Sequence, residues 1–156
     1  MSPSLQQDLK QKKPFRSLQQ EAYLSVVRTS TALTDAMEEL VKSRGISATQ
    51  YNVLRILRGS DVEGLCRNAL RDRMLTRMPD MTRLLDRMEE AGLVVRVREG
   101  EDRRMVMTRI TAKGRGLLDD LDAPVMALHR KQLAGLTDAQ LRSLSDLLTL
   151  VRDGGG

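Results

Sequence analysis

Residues 77–111 read RMPDMTRLLDRMEEAGLVVRVREGEDRRMVMTRIT, and two periodicities inside this stretch decide the fold. Met81, Leu84, Leu85 and Met88 recur at i, i+3, i+4 and i+7, so a helix there has one apolar face that must pack on something. At about 100° per residue, Pro79, Arg83, Asp86 and Glu90 point the other way, with Thr82 and Arg87 on the flanks. Gly92 ends the helix, because glycine takes the left-handed conformation of a helix terminus without steric cost. The period then changes to two. Val95 and Val97 alternate with Arg96 and Arg98, and beyond the polar turn at Glu99–Asp102 a second extended run spans Arg104 to Ile110. The stretch therefore predicts a polar-faced helix followed by a β-hairpin, with Arg103 and Arg104 beside Asp102 at the hairpin tip.

Upstream, Leu18, Ala22, Val26, Leu33, Met37, Leu40 and Val41 predict a long helix from Phe15 to Arg44, stopped by Gly45. At about 1.5 Å per residue such a helix is ~45 Å long, more than a small core needs, so part of it is expected to face a second subunit. Ser47-Ala48-Thr49-Gln50 is a capping box that opens a short, mostly buried helix through Tyr51, Leu54, Ile56 and Leu57. Leu65 to Met74 is the next helical candidate, and a short turn, Leu75 to Met78, leads to the helix above. Pro79 suits its first turn and Asp80 its positive end, with Thr76 or Met78 as the cap. Downstream, Thr111 caps a helix through Leu117, Leu118, Leu121, Val125, Leu128 and Leu133, which Pro124 should kink or divide. A second capping box, Thr137 to Gln140, opens a final helix through Leu141, Leu144, Leu147, Leu148 and Val151. The expected class is mainly α with a small β-hairpin: two short helices, a tight turn and a hairpin make a winged helix-turn-helix between long N- and C-terminal helices.

A chain of 156 residues is one domain-sized unit. The boundaries read as a flexible basic arm at 1–14, a single domain at 15–152 and a disordered tail at 153–156; within the domain, 46–111 is the reading unit, and 15–45 with 111–152 are dimerisation helices. The net charge is +5, and 20 of 26 basic residues are Arg, which suits phosphates and base edges but also follows from coding bias. Position therefore matters more than total. Arg67, Arg71, Arg73, Arg77 and Arg83 against only Asp72 and Asp80 form the local basic cluster. Two Tyr, one Phe and no Trp leave little for a base-stacking surface of the single-strand-binding kind. One cysteine excludes an intrachain disulfide. With no signal peptide and no long apolar run, a cytoplasmic protein with no membrane partner is expected. His129 is the sole histidine and reads as a surface residue; Asp119, Asp120 and Asp122 read as a solvated helix face, and no Gly-rich phosphate loop occurs. Neither a metal nor a cofactor nor an enzyme is implied.

The run Thr82-Arg83-Leu84-Leu85-Asp86-Arg87-Met88-Glu89-Glu90-Ala91-Gly92-Leu93-Val94, followed by Asp102-Arg103-Arg104 and Thr111-Ala112-Lys113-Gly114, resembles the MarR family of bacterial transcriptional regulators. The resemblance covers residues 15 to 152. It implies a homodimer that binds a pseudo-palindromic double-stranded operator and represses, with a small amphipathic or phenolic ligand, or an oxidant, releasing the DNA. By position, Arg83 matches the arginine aimed at major-groove bases and Pro79 a residue near the same groove, while Arg77, Thr82 and Arg87 complete the candidate recognition surface. Arg103 and Arg104 match the wing arginines of the minor groove, and Asp102 the acid that steadies them. Asp86 and Arg87 are open to a second reading, as an intrahelical surface pair or a structural pair to the neighbouring helix, the reading taken for Asp86, and Arg96, Arg98 and Arg109 read as solvated strand residues or phosphate contacts. A ligand pocket is expected between the long helices and the reading unit, lined by aliphatic and Met side chains.

Cys66 departs from the family pattern, which places Thr or Ser there to cap the next helix. A thiol beside Arg67 is open to two readings, a small buried hydrophobe or a reactive sensor. Two alternatives to a ligand-released repressor follow: a thiol-based redox-sensing repressor using Cys66, and a winged helix that binds another protein.

Overall fold

Hydroxyl and amide caps set where most of the helices begin. The computed structural model describes residues 4–98 and 105–154. Ser4 and Gln7 form a capping box on one turn of helix, α1 (Leu5–Asp8), and the Asp8 carboxylate pairs with Arg28 at 3.1 Å. Part of the segment expected to be a flexible arm is thus helical, and one exposed ion pair joins it to the next helix. Ser17 opens α2 (Leu18–Lys42) by accepting from the Gln20 N–H at 3.1 Å. Ser47 and Gln50 close the expected capping box on α3 (Ala48–Arg58), at 3.1 and 3.0 Å.

The next element differs from expectation. Leu65–Cys66 is a strand, β1, and only Arg67–Asp72 is helical, as α4. The cause lies in Gly64, whose φ of +84° and close approach to Thr108 bring the chain alongside the hairpin; a Cβ there would stand 2.1 Å from the Thr108 carbonyl oxygen. After α4 come α5 (Met81–Glu90), β2 (Val94–Arg98) and β3 (Val106–Ile110). The sheet is antiparallel in the order β1-β3-β2, with Leu65 and Arg96 flanking Thr108 from either side.

Thr111 then caps α6 (Ala112–Gln132), its hydroxyl accepting from Gly114 N–H at 3.1 Å. This helix runs through Pro124 as one element and is not divided there. Loss of one backbone bond at proline costs about 3 kcal/mol, and burying Leu118, Leu121 and Val125 on the same helix offsets it at about 2 kcal/mol each. Thr137 and Gln140 form the last capping box on α7 (Asp138–Gly154), which extends into the expected tail.

The core gathers α2 and α6 onto α3, α4 and α5 of the reading unit. Val41, Val53, Leu54, Leu57, Leu70, Leu85, Met88, Leu118 and Leu121 are buried in one cluster. The outer helices are covered far less: α2 buries Val41 alone, and α7 buries nothing. Leu18, Tyr23, Val26 and Val27 on α2, and Leu144, Leu147, Leu150 and Val151 on α7, are exposed. No helix among the described residues is long and apolar enough to cross a membrane.

Candidate nucleic-acid interface

Helix α5 divides as its periodicity requires. Met81, Leu85 and Met88 are buried, and Leu84 is half-buried against the same cluster. Thr82, Arg83 and Arg87 are exposed, as are Arg77 and Pro79 in the approach to the helix. The cap is Asp80, whose carboxylate accepts from Arg83 N–H at 3.0 Å, rather than Thr76 or Met78. Pro79 consequently lies outside the first turn, because the carboxylate one residue later satisfies the orphan donor. Thr82 is not free: Arg67, from α4, donates to its hydroxyl at 2.9 Å. Arg67, Arg71, Arg77, Arg83 and Arg87 are all exposed, and the Arg67–Thr82 bond joins the α4 part of this basic surface to α5. Asp102, Arg103 and Arg104 lie outside the described residues.

Arg96 corrects the reading of the hairpin arginines. It donates to Asp86 at 2.6 Å and to Glu89 at 2.9 and 3.2 Å, and its backbone N–H meets the other Glu89 oxygen at 2.8 Å. Strand β2 is thereby clamped to α5, so Arg96 is neither a solvated residue nor a phosphate contact, and Asp86 is structural as expected but pairs with the strand rather than with Arg87 or a neighbouring helix. Arg109 likewise donates to the Glu63 carbonyl at 3.1 Å. At the far end of α5, Gly92 (φ +75°) turns the chain, Lys113 donates to the Ala91 carbonyl at 2.7 Å, and the Thr111 hydroxyl donates to the Gly92 carbonyl at 2.6 Å. Sequence reasoning saw Thr111 as a cap for α6 and missed that it also fixes the end of α5; the Thr-Ala-Lys-Gly run was the available signal.

Two acid clusters act as ties. Hydrogen bonds from the Arg96 side chain, then from its backbone, hold the Glu89 carboxyl below its ordinary 4.5. Arg58 forks onto Asp122 at 2.8 and 2.9 Å and reaches Asp119 at 3.3 Å, while Arg44 meets Asp120 at 3.5 Å. The acids stand on a solvated face, as expected, and are in addition paired with α3 and with the turn that follows α2. Arg58 hydrogen bonding lowers Asp122 from its ordinary 3.8. Because both folded-state values lie below the unfolded ones, the stabilisation is complete above 4.5 and is lost as pH falls through the depressed values. We predict that the urea midpoint declines over that acid range, and less steeply in Glu89→Gln/Asp122→Asn. Both carboxylates are partly solvated, so the difference is modest, and an identical acid limb in the double variant would refute the assignment.

Cys66 occupies the N-cap of α4 with extended backbone (φ −69°, ψ 160°) and makes no side-chain cap bond. Its half-buried thiol lines a cavity at the root of the wing with Thr82, Arg96 and Thr108. A hydroxyl there would accept a first-turn N–H, so Cys66→Ser is expected to raise stability by ~0.5–1 kcal/mol. A lower melting temperature would show instead that the thiol packs as a hydrophobe.

A second cavity, of about 450 Å³, opens between α2, α3 and the end of α6. Its place is the expected one, but its chemistry differs: Met37 and Leu75 are joined by Thr34, Tyr51, Asn52, Arg55 and the exposed His129. Burial pushes the Tyr51 phenol above its ordinary 10.0, so it presents a neutral hydroxyl. Volume and mixed lining suit a small molecule with one polar end.

The model of the MarR family matches residues 44–105, which contain α3, β1, α4, α5 and β2. The HTH-type transcriptional regulator TtmR of Methylorubrum extorquens (strain PA1) is 30% identical over 138 residues, covering 88% of this chain and 69% of TtmR. A MarR transcription factor from Planctomyces limnophilus is 42% identical, with a TM-score of 0.67 over 88% of this chain and 99% of that one. CouR from Rhodococcus jostii RHA1, crystallised with p-coumaroyl-CoA, is 27% identical, with a TM-score of 0.74 over 88% and 95% of the two chains. The family model falls on the capped helix and the hairpin clamped to it, the 42% identical MarR transcription factor spans the long helices as well, and the chain belongs to the MarR family of DNA-binding transcriptional regulators.

Proposed function

We propose that the protein is a homodimeric repressor that reads a pseudo-palindromic operator with α5 and leaves it when a small molecule occupies the cavity between α2 and α3. The observation that carries the reading is the division of α5: its apolar face is sealed into the core, and Arg83 stands on the opposite face with Pro79, Arg77, Thr82 and Arg87 around it. Arg83 is assigned to guanine edges in the major groove, where a bidentate guanidinium is the commonest specific contact. Arg77, Arg87 and Arg67 are assigned to phosphates, and Arg103 and Arg104, with Asp102, to the wing. Residues 46–111 form the reading unit, while α2 and α7 supply the apolar dimer faces and hold two recognition helices one DNA turn apart, ~34 Å. CouR was crystallised with an acylated coenzyme, and the cavity here offers Arg55 and His129 to an anionic or phenolic end.

Selection of bound sequences from a random DNA pool tests the reading. A palindromic consensus, with affinity falling steeply as salt rises, is expected. A consensus without dyad symmetry would overturn the dimeric arrangement, and salt-independent binding would overturn phosphate contact.

A further inference from the structure

Between α4 and α5 the chain passes through Leu75, Thr76, Arg77, Met78 and Pro79, a segment that belongs to no helix. Among the described residues this segment makes one hydrogen bond: Leu75 N–H donates to the Asn52 side-chain oxygen at 2.9 Å. Leu75 is 83% exposed, so packing does little to hold that end, and Met78 alone of the five packs against the core. Pro79 then hands the chain to Asp80, the cap that fixes where α5 starts. Asn52 projects from α3 and lines the cavity between α2 and α3, where Leu75 and Thr76 form part of the same wall. The other end of its amide, the NH2 group, has no partner among the described residues.

We propose that Asn52 is the positioning residue that couples this cavity to α5: its oxygen tethers the segment before α5, and its NH2 group is the donor that a bound ligand engages. The inference rests on the reading that the cavity takes the effector. A carboxylate or phenolate oxygen beside Arg55 and His129 accepts from the Asn52 NH2 group and draws the amide round. Turning the amide towards that oxygen removes the acceptor from Leu75. Released from its one hydrogen bond, the segment no longer fixes the entry of α5, and the operator is lost. A rigid helix thus carries the signal only as far as one side chain, and the segment from Leu75 to Pro79 converts it into a change of α5 orientation.

The test compares the parent with Asn52→Ala and Asn52→Asp on the DNA selected above. Aspartate keeps the acceptor for Leu75 N–H and removes the donor; alanine removes both. Without ligand, Asn52→Ala is expected to bind the operator about five- to tenfold more weakly with its melting temperature little changed, to exchange the Leu75 amide proton faster, and Asn52→Asp to match the parent in both respects. With 4-hydroxybenzoate as the probe, the parent should release DNA and both variants should respond at least fivefold less. If Asn52→Ala binds as the parent does, or Asn52→Asp is as weak as Asn52→Ala, the tether is overturned; equal fold-release of all three proteins by the probe overturns the coupling. A parent that ignores the probe counts against the effector reading of the cavity, and the ligand-free affinities and Leu75 exchange still decide the tether.

Discussion

Gly114→Ala should destabilise the fold by about 3 kcal/mol or more, lowering the melting temperature by roughly 6–12 °C. The position lies in the first turn of α6, where the helix presses on the base of the hairpin. A Cβ there would stand 2.5 Å from the Leu93 carbonyl oxygen, 2.9 Å from the Ile110 side chain and 3.2 Å from Leu54. The Leu93 oxygen cannot move aside, because it accepts from Thr111 N–H at 3.1 Å. The methyl group must instead push α6 off the sheet, opening the core at Leu54 and undoing the bonds from Thr111 and Lys113 that end α5. Gly116, two residues on, has nothing within 4 Å of its added Cβ, so Gly116→Ala is the control, gaining ~0.5–1 kcal/mol from helix propensity. Thermal unfolding by circular dichroism decides: equal melting temperatures for Gly114→Ala and the parent would disprove the close packing.

Arg83→Ala is the variant expected to act most on DNA and least on the fold. Its side chain is exposed, and its backbone N–H, which Asp80 caps, survives the change. Operator affinity should drop by ~10- to 100-fold, with a far smaller loss on random DNA, because a bidentate contact to a guanine carries ~1–3 kcal/mol of discrimination. Lysine should not restore specificity, since its single ammonium group cannot match two acceptors at once. Fluorescence anisotropy on both DNAs makes the measurement. An equal loss on both would reduce Arg83 to a phosphate contact.

Local chemistry was legible in the sequence, and tertiary pairing was not. Ser47, Thr111 and Thr137 announce their helices because a cap and its partner lie within three residues of each other. The apolar stripe of α5 is equally local. Strand β1 escaped because two residues carry no period, and its existence depends on a glycine meeting a carbonyl far along the chain. For Arg96, period-two alternation says only that it sits on one face of a strand. It cannot say that Asp86 and Glu89, one turn of helix apart, meet on that face. The ion pairs of the α6 acids were hidden for the same reason: their partners are Arg44, in the turn after α2, and Arg58, on α3. Asp80 was within reach, since a carboxylate is a better cap than the Thr76 or Met78 considered for the role.

The bareness of α7 has a consequence for how much of this regulator is available at any moment. A seventeen-residue helix that buries none of its side chains against its own chain draws its stability from whatever covers it. Where that cover is a second copy, folding and assembly obey mass action together, and the native fraction depends on protomer concentration. Copy number then becomes a control variable in its own right. A scarce protomer is then the less stable one, and dilution alone lowers the fraction of chains that are folded.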